Sequence, residues 1–290
     1  MSFARRFINL RFELGQGNFG ESGSDAVEIT GLRVQANIDR PGGVALSTLN
    51  MRVYGMTKSQ MNQLSTLGQV YPDVRQNKVI VTAGDDVNGK AVVFSGIISE
   101  AYLDMKGAPD GAFQVQGFPG LLDALRPLPP SSFKGSADAA TIMAGLAQQM
   151  SRGFENSGVQ VTLSNPYYAG TGKQQADACA REGNFNHYFD DVLNVLAIWP
   201  KGQARGGEQI LISKATGMIG YPAYMQSAIK VDTEFNSSLT FGAQVTVESD
   251  LLPAQSRKWV INNLSPDLES ETNGGAWYSH FQALVWDSAP

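Results

Sequence analysis

GMIGYPAYMQSAIKVDTEFNSSLTFGAQVTVES, residues 217–249, followed by GGAWYSHFQALVW at 274–286, is the stretch on which the fold of this chain turns. In SAIKVDTEF (227–235), Ile229, Val231, Thr233 and Phe235 alternate with Lys230, Asp232 and Glu234. In GAQVTVES (242–249), Ala243, Val245 and Val247 alternate with Gln244, Thr246 and Glu248. A period of two gives one face to a core and the other to water, so both segments read as strands. An Asn-Ser-Ser turn (236–238) joins them, and KWVINNLSPDL (258–268) and WYSHFQALVW (277–286) complete a meander. Nothing in the stretch looks catalytic. Its aromatic end, with Trp277, Tyr278, Phe281 and Trp286, reads as core or subunit interface before it reads as a sugar-stacking platform.

Upstream, EQILISKA (208–215) reads as a further strand, and β character dominates the other end of the chain as well. Leu32, Val34, Ala36 and Ile38 alternate with polar residues through 27–38, DRPGG (39–43) is a turn, and Leu49, Met51 and Val53 face one way in the following strand. Thr57 and Gln60 form a capping box for a short helix with Met61, Leu64 and Leu67 on one face and Gly68 as its stop. Strands are expected again at 78–84, 90–105 and 112–118, separated by DDVNG and KGAPDG turns.

Composition shifts at RPLPPSSFKGS (126–136), where three prolines in five residues force an extended connection. Beyond it, Ile142, Met143, Leu146, Ala147 and Met150 share a helical face, GVQVTLS (158–164) reads as a strand, NPYYAGTG (165–172) as a loop and QQADACAREG (174–183) as a helix. HYFDDVLNVLAIWP (187–200) is an apolar stretch, helical or strand-like, stopped by Pro200. The expected class is α+β, mainly β. Its expected domains are a first β domain with a flanking helix over 1–126, a small α/β insert over 127–205 and a second β domain over 206–290.

At 290 residues the chain has room for these three units, and no run reaches the ~18 apolar residues that a membrane-spanning helix needs. The N-terminus alternates apolar with polar residues where a secretory leader would carry a continuous apolar block, so the expectation is a protein made inside the cell. One cysteine excludes an intramolecular disulfide. With only His187 and His280 beside Cys179, a structural zinc site is not expected. Net charge is −5, and the nearest thing to a basic patch is Arg5–Arg6, so counterion-release binding to duplex DNA is not expected either.

Apparent motifs dissolve on inspection. Gly15, Gly17 and Gly20 match G-x-G-x-x-G, but the loop leads into ESGSD and a strand where a dinucleotide site requires a helix. Asp85, Asp86 and Asn88 lack calcium-loop spacing, and Asn88-Gly89 reads as a hairpin turn. Glu182, Asp190 and Asp191 beside His187 have the residue types of a glycosidase pair, yet adjacent aspartates at a solvated helix start account for two of them. Cys179, between alanines, reads as a small buried helix residue, and His280 as a hydrogen-bonded strand histidine. The sequons at Asn236 and Asn263 have no role without secretion. No catalytic, cofactor-binding or metal-ligating residue is assigned, and no cofactor is expected.

In order along the chain, MTKSQMNQLSTLG (56–68), LLDALRPLPPSSFKGSADAATIMAGLAQQM (121–150), IWPKG (198–202) and the C-terminal Gly-x-Pro, Asn-x-Ser-Leu and Gly-Gly-x-Trp patterns resemble bacteriophage baseplate hub proteins and the related type VI secretion spike barrels. That resemblance implies two tube-like β-barrels per subunit flanking the insert. It implies a homotrimer forming a pseudo-sixfold ring between a tail tube protein and a central spike protein, with a channel for DNA. Tape measure and baseplate wedge proteins are further candidate partners. The location it implies is the virion tail, assembled in the bacterial host cytoplasm. It carries no catalytic residues, and no fused lysozyme or spike domain fits in this length. The alternative is a glycan-binding or peptidoglycan-degrading baseplate protein acting through the middle domain.

Overall fold

The computed structural model describes residues 4–20, 23–42, 45–66, 76–249 and 258–286. The chain is mainly β, with helices added. Its first part comprises β1 (Arg6–Glu13), β2 (Ala26–Ile29), β3 (Val34–Asp39), β4 (Thr48–Tyr54), helix α1 (Lys58–Leu64), β5 (Lys78–Asp85), β6 (Gly89–Asp104), β7 (Ala112–Phe118) and a short helix α2 (Leu121–Leu125). The single strand expected over 27–38 is two strands. Gly31, at φ +71°, turns the chain between them, so that β2 lies on β1 while β3 pairs with β4.

The capping box of α1 is present: Thr57 Oγ1 accepts from the Gln60 N–H, and Gln60 Oε1 accepts from the Thr57 N–H. The helix ends earlier than expected, at Leu64. Thr66 has already turned its N–H to the Ala101 carbonyl of β6, which draws the backbone away from the helical path. Leu67 and Gly68, the expected last contact and stop, lie outside the described residues. Leu64 is fully buried, so this short helix is held by the sheet it lies on.

The insert contains β8 (Pro127–Ser132), β9 (Ser136–Asp138), α3 (Ala139–Gln149), β10 (Gly153–Asn156), β11 (Thr162–Ser164), β12 (Tyr167–Thr171), α4 (Gly172–Glu182), β13 (Phe185–Asp190) and β14 (Val195–Pro200). The proline-rich segment is extended as expected, but it is a paired strand: β8 lies against β12. NPYYAGTG is therefore not a loop, because Tyr168 is buried and its strand covers β8. The strand expected at 158–164 is confined to Thr162–Ser164. The apolar run at 187–200 is an antiparallel hairpin, β13–β14, not a helix. Leu196, Ala197, Ile198 and Trp199 are all buried, as in a strand covered on both faces. Ile142, Met143, Leu146, Cys179, Phe185 and Ile198 share the insert's core.

The C-terminal part contains β15 (Ile210–Ile212), β16 (Met218–Tyr224), β17 (Ala228–Glu234), β18 (Gln244–Val247), β19 (Trp259–Ser270) and β20 (Trp277–Val285). The two alternating strands of the decisive stretch, β17 and β18, do not pair with each other. Their order is β16-β17-β20-β19-β18-β15, so β20 and β19 lie between them. The Asn-Ser-Ser segment is a turn within a crossover. Asn236 Oδ1 accepts from the Ser238 N–H, and Leu239 is buried in the core beyond. Ile229, Val231, Val245, Val247, Trp259 and Phe281 nevertheless meet in one core. The alternation was correct and the pairing inferred from it was not.

A repeat absent from the sequence is present in the topology. The first part orders its strands β3-β4-β7-β6-β5-β1, with β2 added at the edge. Ranked along the chain within each unit, this is the same order as β16-β17-β20-β19-β18-β15. Four of the five neighbouring pairs are antiparallel in both units; β1 is antiparallel to β5, whereas its counterpart β15 is parallel to β18. The two units form one 13-stranded sheet, because Asp267–Ser270 of β19 pairs with Asn37–Val34 of β3. Leu268 and Trp277, from the C-terminal strands, complete the N-terminal core with Phe12, Val34, Met51 and Phe113.

Candidate functional site

Each sequence-selected residue of the insert is tied to a structural partner. Glu182, at the end of α4, accepts from the Tyr168 hydroxyl at 2.7 Å. His187 Nε2 lies 2.8 Å from Asp177 Oδ1, and the Lys173 ammonium sits 2.8 Å from the other oxygen. Burial works to raise the Asp177 carboxyl, and these two partners outweigh it and hold the group below its usual range.

Asp190 and Asp191 stand at the β13–β14 turn, not at a helix start, and each holds a different arginine. Asp190 takes Arg205 Nη1 at 2.7 Å, while Arg205 also forks onto both oxygens of Glu155 at 2.7 and 2.9 Å. The Arg205 hydrogen bonds hold Glu155 below the usual carboxylate range. Asp191 takes Arg152 Nη2 at 2.6 Å, and Arg152 bridges on to Asp123 of α2. Burial dominates at Asp191 and pushes its carboxyl up to about 6 despite the guanidinium.

These arginines fasten the insert to both neighbours. Arg152 reaches the helix that ends the first part, while the Arg205 N–H donates to the Gly242 carbonyl in the crossover between β17 and β18. There Tyr188 stacks on Phe241 at 4.8 Å between centroids, and Trp199 meets Phe241 edge-on at 6.0 Å. Gly242 adopts φ +84°, and a Cβ there would come within 2.9 Å of Trp199, so only glycine suits this close approach. None of these residues except Asp190 and Asp191 stood out in the sequence, because a buried arginine is recognised by its partners and not by its neighbours in the chain.

The other motifs resolve as turns and cross-strand pairs. The glycines at 15, 17 and 20 belong to a loop between β1 and β2, with Gly17 and Gly20 at positive φ. Asp85 accepts from the N–H groups of Val87 and Asn88 and from the Asn88 amide, closing the β5–β6 hairpin. His280 Nδ1 lies 2.6 Å from Asp232 on the facing strand. Cys179 is buried, and desolvation pushes its thiol up to about 12. Trp277 and Phe281 are core residues, whereas Tyr278 is 37% exposed.

A cleft of about 380 Å³ separates the insert from the C-terminal sheet; Trp199, Phe241, Ile261 and Leu284 line it, with Arg181 and Lys201 at its polar positions. The Asp177–His187 pair borders it, and among the described residues its lining holds no Ser, Thr or Cys. No group of three or more His, Cys, Asp or Glu side chains among the described residues is placed to hold a metal ion. Large apolar side chains are exposed at Ile219, Tyr221, Tyr224 and Met225 on and after β16, and at Tyr102, Leu103 and Met105 at the end of β6.

Solved structures place this arrangement in a class. The tail protein from Neisseria meningitidis MC58 superposes with a TM-score of 0.61 at 10% identity, covering 97% of this chain and 98% of that one. The 43 kDa tail protein of prophage MuSo2 from Shewanella oneidensis gives 0.60 at 8% identity over 95% and 96%. The E. coli c3393 protein, a type VI secretion component described as structurally similar to the T4 phage tail proteins gp27 and gp5, gives 0.58 at 10% identity over 89% and 74%. The fold is that of phage tail and type VI secretion proteins. A family model described as baseplate hub gp41 matches residues 12–278, and the chain belongs to that family of structural phage tail proteins. No curated protein sequence matches it significantly.

Proposed function

We propose that this baseplate hub protein acts as a homotrimer whose two β units, over 1–126 and 206–290, are tube-like barrels bracketing the 127–205 insert. Three copies present six barrels, so a threefold ring offers a pseudo-sixfold face to the tail tube protein and a threefold face to the central spike protein. The observation that supports this reading is the shared strand order of the two units, which a ring built from near-equivalent blocks requires. The type VI neighbours are consistent with contacts to spike proteins, since one solved relative is a PdpA-VgrG complex. Tape measure and baseplate wedge proteins are further partners, in a virion assembled in the host cytoplasm. DNA passes through the ring during ejection without specific binding, and the net charge of −5 suits a lumen that does not retain phosphates.

The role in this reading is structural and not enzymatic: Glu182, Asp190 and Asp191, the carboxylates that could serve a glycosidase, are engaged by Tyr168, Arg205 and Arg152 respectively. Sedimentation with a mass measurement, combined with pull-down of the tube and spike proteins, tests the reading. A trimer that captures both supports it. A stable monomer that clears peptidoglycan in a zymogram, and stops doing so as Glu182→Gln, replaces it with the glycan-active alternative.

A further inference from the structure

Among the described residues, two of the exposed apolar patches lie at strand positions that the repeat in the fold relates to each other, and the repeat indicates how both become covered. One is the outer side of β16, where Ile219 is 42% and Tyr221 62% exposed, with no charged residue in the strand. Among the described residues, no strand pairs with β16 on that side. The other is the end of β6, where Tyr102 is 45%, Leu103 42% and Met105 53% exposed. An uncharged apolar edge invites pairing with another chain unless it is covered or blunted. Pro222 and the irregularity after Ile219 blunt the far part of β16, and leave Met218–Tyr221 as the part open to pairing.

The shared strand order gives each strand of the first unit a counterpart in the second: β3 matches β16, β4 matches β17, β7 matches β20, and β6 matches β19. Within the chain the two units are joined at one seam, where the last four residues of β19, Asp267–Ser270, pair with β3. The counterpart of that contact would join the end of β6 to β16. In a single chain these strands do not pair, because they lie on opposite flanks of the joined sheet.

We propose that the end of β6, Tyr102–Asp104, pairs with β16 around Met218–Tyr221 of a neighbouring copy, repeating between copies the β19–β3 seam within each copy. The backbone is suited to this. The Ala101 N–H and C=O point off the β5 side of β6 to Thr66, and strand alternation turns the Leu103 N–H and C=O to that same side. Each copy carries one β6 end and one β16 edge, so the contact is heterologous, and a ring is the way it closes. Both apolar patches are buried by one contact. This inference rests on the ring reading above and assigns the strands that make the ring.

Cysteine cross-linking tests it, since the only native cysteine, Cys179, is buried. Leu103→Cys and Ile219→Cys replace exposed residues, so both variants are expected to fold. Mixed single variants should give a disulfide-linked dimer that neither gives alone, and the double variant should give linked trimers. Ile219→Asp should weaken association about tenfold or more, read by sedimentation. A trimer that does not cross-link, and that tolerates Ile219→Asp, overturns this seam while leaving the ring standing. A monomer at tens of micromolar, in all variants and wild type, overturns both.

Discussion

Arg205 donates from Nη1 to Asp190 Oδ2 at 2.7 Å, with only 5% and 6% of the two side chains exposed. The pair lies where the insert meets the crossover of the C-terminal unit, and Asp190 also accepts the N–H groups of Val192 and Leu193. Removing the guanidinium leaves a buried carboxylate without its counter-charge. Arg205→Met is therefore expected to cost about 3–5 kcal/mol in urea unfolding. A loss below ~1 kcal/mol would show that the Arg205 guanidinium adds little to the Tyr188–Phe241–Trp199 contacts and the Arg205–Gly242 backbone bond at this junction.

Asp191 makes stability depend on pH in a definite direction. Its folded pKa, about 6, lies above the ~3.9 of an exposed aspartate, so the folded state binds the proton more tightly. The contribution is fully present below about pH 4 and is lost as pH rises through about 6. Melting curves from pH 4 to 8 should show wild type losing stability, on the order of 2 kcal/mol, relative to Asp191→Asn. A difference that does not vary with pH would mean that Arg152 keeps Asp191 charged throughout.

Leu268 belongs by sequence to the C-terminal unit and by packing to the N-terminal core. Leu268→Ala should destabilise the protein by about 2–5 kcal/mol. Hydrogen exchange should quicken in β3 and β4 as well as in β19. A fragment ending at residue 126 lacks Leu268, Trp277 and the strand that pairs with β3, and it should fold poorly or bind dye as a loosened core. Native exchange protection in that fragment would show that the first unit is self-sufficient.

Cys179 should be inert in the folded protein. It is fully buried and its thiol is pushed up to about 12, so thiolate is scarce at neutral pH. Labelling by a thiol reagent should follow the unfolding transition in denaturant. Fast labelling in buffer would indicate that α4 opens locally.

Much of the fold was legible in local patterns. Strand alternation around Ile229 and Val245, the Thr57–Gln60 box, the Asn88-Gly89 turn and the helical face of Ile142 and Leu146 all depend on residues a few positions apart. The family resemblance was carried by such short motifs too. The candidate carboxylates Glu182, Asp190 and Asp191 were visible, but their cations were not, because Arg152 and Arg205 come from elsewhere in the chain.

What the sequence determined by itself is therefore most of the strands and helices of the two outer parts and the two helices of the middle part, with the faces they bury, since these follow from backbone periodicity and caps. The strands at 127–132 and 167–171 and the hairpin at 185–200 lack such a pattern. Two alternating strands separated by a turn look like a hairpin, and only the tertiary structure decided that β20 and β19 part them. It also decided that β19 continues from its own unit onto β3, and that the two units share one strand order. Pairing between distant strands is set by which edges and apolar faces can be satisfied together, and a linear pattern does not record that competition.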